Sequence, residues 1–294
     1  VIRKTTLKKH ENLKGWLLSS PYLIFILVFW GYPFVWLVVL SFTKWNFMTP
    51  KKFIGIENFV KLFSNPFFWT LTWNTFKFMC YFIPMVLVFS ITLAVAFTKA
   101  KKFKAFLAIS FLVANVSSGV AYSIVFSQLF SSNGPLNRFL YNSFGFIIPW
   151  FTNPNWAMFS IAIMVTWKFL GYYALIFMAG LQMIPKELYE AADLDGANKR
   201  TRFFKITLPL LNPSIVMIMV LAISLSFGIF TEPYMITGGG PLNGTQTFLL
   251  AIYTDAFERY RAGYAASLSI IAASMSFAII YATRKIIERE VDFS

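Results

Sequence analysis

Cysteine and histidine are almost missing from this chain: each occurs once, as Cys80 and His10. A single cysteine forms no internal disulfide and no four-cysteine metal site. A lone histidine in a Lys-rich amino-terminal stretch excludes mechanisms built on a buried histidine base or a histidine cluster. Charge is scarce too. Only 13% of residues are Asp, Glu, Lys or Arg, where a soluble domain carries about a quarter. No G-x-x-x-x-G-K-[ST] run is present, so the chain lacks the phosphate loop of an ATPase. Tandem repeats and low-complexity tracts are likewise missing.

What is present is apolar and aromatic: 57% of the 294 residues are hydrophobic, with 35 Phe and 9 Trp, and the mean hydropathy is +0.63. These residues gather into six blocks, 16–40, 76–97, 106–130, 156–181, 213–230 and 264–282. Each is close to the about 20 residues that a helix needs to cross a bilayer core. With no water to satisfy the backbone, each block must be helical. The first is too long for a signal peptide and is followed by no small-residue cleavage site. None of the six blocks contains Asp or Glu. The chain is therefore expected to be an all-α integral membrane protein of six transmembrane helices.

Orientation follows from the basic residues. Segments 1–15, 98–105, 182–212 and 283–294 hold 5, 4, 5 and 3 Lys or Arg, while the connections on the other side hold 7 and Lys77 and Lys168 lie within blocks. This bias places both termini in the cytoplasm. It makes a 1–15 basic amino terminus, a 16–282 membrane domain and a 283–294 tail. The net charge of +14 is thus a topology signal, because it is split among four short segments rather than pooled as a nucleic-acid patch. Trp45, Trp69, Trp73, Trp150 and Trp156 fall near the proposed outer ends of the blocks, where amphipathic rings settle. The connections 41–75, 131–155 and 231–263 read as outer loops rich in turn-forming residues.

One cytoplasmic loop, 182–212, has organised character. Pro185 suits the first helical position, Glu187 and Glu190 lie near the positive end of the helix dipole, and Gly196 is placed to stop the helix in a left-handed turn. Leu188, Ala191 and Ala192 share a face. The pattern predicts a short helix with a small-residue strip. It is either a docking element for another protein's groove or an ordinary interfacial helix.

The run Glu190-Ala191-Ala192-x-x-x-Gly196, followed by Ile206-x-Leu208-Pro209, resembles the EAA motif of permeases in binding-protein-dependent ABC importers. Further signatures resemble the sugar branch, the maltose and glycerol-phosphate type. They are Pro21-Tyr22-Leu23, Gly55-x-Glu57-Asn58-Phe59, Gly134-Pro135-Leu136-Asn137, Gly180-Leu181-Gln182 and Thr237-Gly238-Gly239-Gly240-Pro241. The resemblance implies the type I importer permease fold (MetI-like), in a bacterial-type inner membrane. It also implies partners: a second homologous permease, two cytosolic ATPases that carry the ATP and Mg chemistry, and an extracytoplasmic solute-binding protein. This chain itself would bind no cofactor. Coupling to the ATPase is carried over to Glu190, Ala191, Ala192 and Gly196, which match the motif, and to their neighbours Asp193 and Ala197. The substrate class implied is a sugar or oligosaccharide. An ion-coupled secondary carrier is the rival reading; such carriers usually place carboxylates inside their spans.

Polar side chains inside spans point to a pathway or to helix–helix contacts. Asn115, Ser118 and Tyr122 are spaced for one face of a continuous third helix, and Phe169 and Tyr173 for one face of the fourth. These five are the expected pathway residues. Leu112-Val113-Ala114-Asn115 departs from the sugar-branch pattern, which has a Leu-Pro pair there. Lys168, deep in the fourth block, reads either as a counter-ion for an anionic solute or as a residue at an interface or snorkelling to one. Gly238, Gly239, Gly240 and Pro241 are expected to form a flexible outer turn where the binding protein docks.

Overall fold

The computed structural model describes residues 15–99 and 104–288. Most of the basic 1–15 segment, the centre of the 98–105 loop and the end of the 283–294 tail lie outside the described residues. Among the described residues, five helices are long and apolar enough to cross a membrane: α1 (Gly15–Ser41), α3 (Pro66–Lys99), α7 (Pro154–Met183), α10 (Asn212–Gly228, carried on to Thr237) and α12 (Ala262–Ile287). Two further apolar helices, α4 (Lys104–Val116) and α5 (Gly119–Leu129), meet at a bend of 100°, the geometry of a broken span or of a re-entrant loop. Short elements lie between them: α2 (Glu57–Ser64), α6 (Pro135–Phe144), α8 (Lys186–Leu194), α9 (Lys199–Arg202) and α11 (Phe248–Tyr253).

Three expectations change. The second span begins at Pro66, ten residues before the apolar block, so Trp69 and Trp73 belong to a helix rather than a loop. At 1.5 Å per residue, 34 residues of α3 reach roughly 51 Å, well beyond the ~30 Å hydrocarbon core. The fifth span runs to Thr237 and so encloses Glu232. The third is two helices, not one. In addition, Trp150 is not an interfacial anchor. It is buried in a cluster with Tyr122, Phe126, Phe130 and Met164, and its indole N–H donates to Asn137 Oδ1 at 3.1 Å.

The chain divides into two compact units. The first comprises 15–64 and 252–270. A two-stranded hairpin, β1 (Thr43–Lys44) against β2 (Lys52–Phe53), is tied to α2 by Asn58, whose buried amide donates to the carbonyls of Ser41 and Thr43 at 2.9 Å each. Gly263 is packed so close to the Thr43 carbonyl that no side chain fits there. Asp255, also buried, holds Arg261 and Arg259.

The second unit, 65–251 with 271–288, carries the helical core. Here α7 packs against α3 and α4, and α10 against α3 and α7. Phe78 and Phe82 stack in the interior with ring centroids 5.2 Å apart, and Ile161 and Met164 of α7 are likewise fully buried. Small residues set the close approaches, as is usual where lipid supplies no hydrophobic drive. A side chain at Gly171 would come within 2.6 Å of the Phe111 backbone, and Gly180 leaves room for Ser214 and Leu211.

Candidate functional site: a loop helix, a broken span and a buried ion pair

The 182–212 loop folds as its residues require. Pro185 precedes the nine-residue α8, with Glu187 in the first turn. Gly196 takes φ +73, and two bonds close the helix, Gly196 N–H to the Asp193 carbonyl (3.1 Å) and Ala197 N–H to the Ala192 carbonyl (2.9 Å). This is the left-handed stop that relieves orphan carbonyls. Asn198 caps α9 by accepting from Thr201 N–H at 2.9 Å. The loop is braced by the Asp193–Arg202 ion pair and by a 2.9 Å contact between the Tyr189 and Thr207 hydroxyls.

The small-residue strip is divided. Glu190 and Ala191 are exposed, whereas Ala192 is 8% exposed and packs inward. The outward surface includes Leu188 and Leu194, the latter 90% exposed. Leu188 and Leu194 make the outward face partly apolar. Leu194 was missed from the sequence because it lies inside the motif at an unspecified position.

Of the two faces foreseen, that of Phe169 and Tyr173 forms and that of Asn115, Ser118 and Tyr122 does not. The 100° bend at Ser117–Ser118 turns Tyr122 away from Asn115, so the common face of Asn115, Ser118 and Tyr122 does not exist. The bend needs no proline. Ser118 adopts an extended conformation (φ −53, ψ 128) and its side chain does not cap α5. Both serines at the break are exposed. Non-helical backbone at membrane depth is tolerated where it is buried in protein or lines water. Asn115 and Phe169 are half-buried and Ser118 is exposed, so these three have surface to offer. Tyr122 and Tyr173 are buried; the Phe169 and Tyr173 rings stack at 6.0 Å.

Tyr122 instead meets Lys168. The Tyr122 hydroxyl donates to Glu232 Oε1 at 2.6 Å, and Lys168 Nζ stands 3.5 Å from the same oxygen, with both charged side chains largely buried. The ammonium also lies 4.6 Å from the centre of the Tyr122 ring. It packs beside Gly119, at the amino end of α5, where a methyl group would be 3.5 Å from it. A lysine near a positive helix end is unfavourable by itself. Glu232 neutralises both. The sequence showed Lys168 but not its partner, because Glu232 stands beyond the apolar block.

Gly238 to Pro241 form no loose turn. Gly238 and Gly239 take φ +57 and +86, and the Gly240–Pro241 bond is cis. Gly239 N–H bonds the Pro233 carbonyl (3.2 Å), Gly240 N–H the Thr237 carbonyl (2.9 Å) and Thr245 N–H the Gly239 carbonyl (3.2 Å). Thr245 Oγ1 donates to the Gly240 carbonyl at 2.7 Å. From α3, Asn74 donates to the carbonyls of Asn243 (2.7 Å) and Gln246 (3.0 Å). The expected flexibility is overturned by this density of backbone bonds.

The family described as "Binding-protein-dependent transport system inner membrane component" matches residues 60–291. The chain belongs to that family.

Two relatives are similar along nearly all of their length. The sulfoquinovosyl glycerol transport system permease protein SmoG of Agrobacterium fabrum is 34% identical over 272 residues, 92% of this chain and 88% of the relative. The lactose transport system permease protein LacF of Rhizobium radiobacter is 34% identical over 294 residues, 96% and 98%. Among solved structures, a chain of the bacterial alginate ABC transporter in complex with alginate pentasaccharide-bound periplasmic protein has a TM-score of 0.81 at 22% identity. The likeness covers 98% of this chain and 99% of that one, and it speaks for the fold.

This transport-system component is a multi-pass membrane subunit and not an enzyme; ATP hydrolysis belongs to a separate subunit. One argument against an ion-coupled carrier, the lack of a carboxylate inside a span, fails at Glu232. Membership of the family decides that question instead.

Proposed function

We propose that this chain forms half of the translocation pathway of an ATP-driven importer for sugars or oligosaccharides. It pairs with a second, different permease chain, two cytosolic ATPases that bind ATP and Mg, and an extracytoplasmic solute-binding protein. The relatives that transport lactose and sulfoquinovosyl glycerol support the substrate class. In this reading both termini and the 182–212 loop are cytoplasmic, and the membrane domain runs over 16–282.

The observation that carries the proposal is the outward surface of α8. Glu190, Ala191, Leu188 and Leu194 are exposed on a helix held firm by Gly196 and by the Asp193–Arg202 pair. Such a helix suits a groove on an ATPase, and closure of the two ATPases would move the permease halves by rigid-body alternating access. Ala192 and Ala197 serve from within: Ala192 seats the helix, and Ala197 N–H closes its end. Asn115, Ser118 and Phe169 line the path, with Tyr122 and Tyr173 behind them as its wall. The glycine turn 238–241 is a firm docking surface for the binding protein.

The test is uptake by proteoliposomes holding the complete importer. Ala191→Arg places a charge on the exposed strip without touching the interior; it abolishes ATP-dependent uptake and releases the ATPase during purification, while the chain still inserts. Wild-type transport by this variant, or solute flux indifferent to ATP in the unaltered complex, overturns the proposal.

A further inference from the structure

A cavity of about 410 Å³ opens where the ends of α3 and α7 meet the 182–212 loop. Its floor is hydrocarbon, from Val95 near the end of α3 and Leu181 near the end of α7. Its rim is polar and basic, with Lys199, Arg202 and the hydroxyls of Tyr189 and Thr207. We propose that this cavity holds an anionic phospholipid of the cytoplasmic leaflet. The inference rests on the cytoplasmic placement of the 182–212 loop argued above.

Charge and shape both point to this occupant. Arg202 is already matched by Asp193, while Lys199 has no ion-pair partner among the described residues. The rim therefore carries one net positive charge, which suits a headgroup with one negative charge. Basic pockets between spans on the cytoplasmic side are recognised lipid sites of this type. A free phosphate would satisfy the rim but leave Val95 and Leu181 uncovered. A phospholipid places its phosphate against Lys199 and Arg202, beside the Tyr189–Thr207 hydroxyl pair, and lays an acyl chain over the apolar floor.

The site touches the coupling loop directly. A phosphate at Arg202 competes with Asp193, whose side chain is 57% exposed and so is readily hydrated once released. Lipid occupancy would then loosen one of the two braces that hold α8 against the rest of the loop, leaving the Gly196 stop intact. The cytoplasmic leaflet would in this way tune how tightly ATPase closure is passed to the spans.

The experiment uses the complete importer in phosphatidylcholine nanodiscs with and without phosphatidylglycerol. Native mass spectrometry counts retained phosphatidylglycerol, and ATPase stimulation by the loaded binding protein is measured in parallel. The expected result is retained phosphatidylglycerol in the unaltered complex, with occupancy at a given lipid fraction about fivefold weaker in Lys199→Gln, in keeping with the value of one cation near a membrane surface. Val95→Trp, which fills the floor and leaves every charge in place, abolishes retention. Equal retention by the unaltered complex and Lys199→Gln overturns the proposal. So does an equal effect of inorganic phosphate on ATPase stimulation in pure phosphatidylcholine discs, which would make the occupant a soluble anion. Lipid retention is read whether or not ATP is hydrolysed, so an error in the coupling assignment appears separately, as a permease without its ATPase.

Discussion

The 182–212 loop and the segment 231–247 are built from similar materials, and both are knit by short-range bonds, but the second leans further on distant partners. Each contains a glycine in the left-handed region, Gly196 at φ +73 and Gly239 at φ +86. Gly196 closes a helix whose supports lie within the loop itself: Asp193 with Arg202, Tyr189 with Thr207, Asn198 with Thr201. Nothing lies within 4 Å of where a side chain would begin at Gly196. Gly239 is buried against the Gln246 side chain. Its segment depends on Asn74, 169 residues from its partner Asn243, and opens on Glu232, whose partners are Tyr122 and Lys168. A self-supported loop can present a surface and remain whole. A segment that adds distant supports to its own bonds reports on the packing of the helices around it.

Breaking the distant supports should cost most. Glu232→Gln strands the Lys168 ammonium in a nearly closed site and is expected to lower stability by about 3–5 kcal/mol. Thermal unfolding of the purified complex in detergent measures this. Adding Lys168→Met should restore much of the loss, because no uncompensated charge remains. Equal midpoints for the single and double variants would show that the pair contributes through shape alone.

The two glycines sharpen the contrast. Alanine at either position meets left-handed backbone strain of about 1–2 kcal/mol. At Gly239 overpacking against Gln246 adds roughly 1–3 kcal/mol, so Gly239→Ala is expected to unfold well below Gly196→Ala in the same assay. Matching midpoints would mean that Gln246 moves aside freely.

Asn74→Ala leaves the carbonyls of Asn243 and Gln246 without their amide donor, for about 2 kcal/mol. Hydrogen exchange should show faster opening of 238–247 in this variant, with 186–197 unchanged. Parallel acceleration in both loops would contradict their independence.

The smallest effect lies outside both loops. In α2, a hydrogen bond from Lys61 and then its charge hold the Glu57 carboxyl below its ordinary value of 4.5. This contribution is present above that value and is lost as pH falls through the lowered one. Because Glu57 is fully exposed, only a slight flattening of the acid limb is expected when Glu57→Gln is compared with the parent chain across that range.

The loop helix was legible in residues because its signals are local. A proline entry, acids in the first turn and a glycine stop act within thirteen residues, and α8 follows them. The first, fourth and sixth spans matched their apolar blocks to within five residues at either end. Two features escaped for related reasons. The start of α3 carries Trp69, Trp73 and Asn74 among threonines, a mixture that lowers hydropathy without breaking a helix. The bend at Ser117–Ser118 has no proline to announce it and exists because α5 is gathered by Glu232, Gly119 and the aromatic cluster around Trp150.

By itself the sequence determined that this protein lives in a bilayer, which apolar blocks give its long helices, and where a capped helix interrupts them. Those properties follow from the cost of exposing backbone to lipid and from short-range hydrogen bonding, both of which act along the chain. The tertiary structure alone decided that Lys168 meets Glu232, that α4 and α5 meet at a 100° bend, that Tyr122 is buried against that ion pair and that Asn74 ties down the segment around Asn243. Most of these depend on a polar group meeting its partner across a long stretch of sequence, in an interior where such a group must be satisfied.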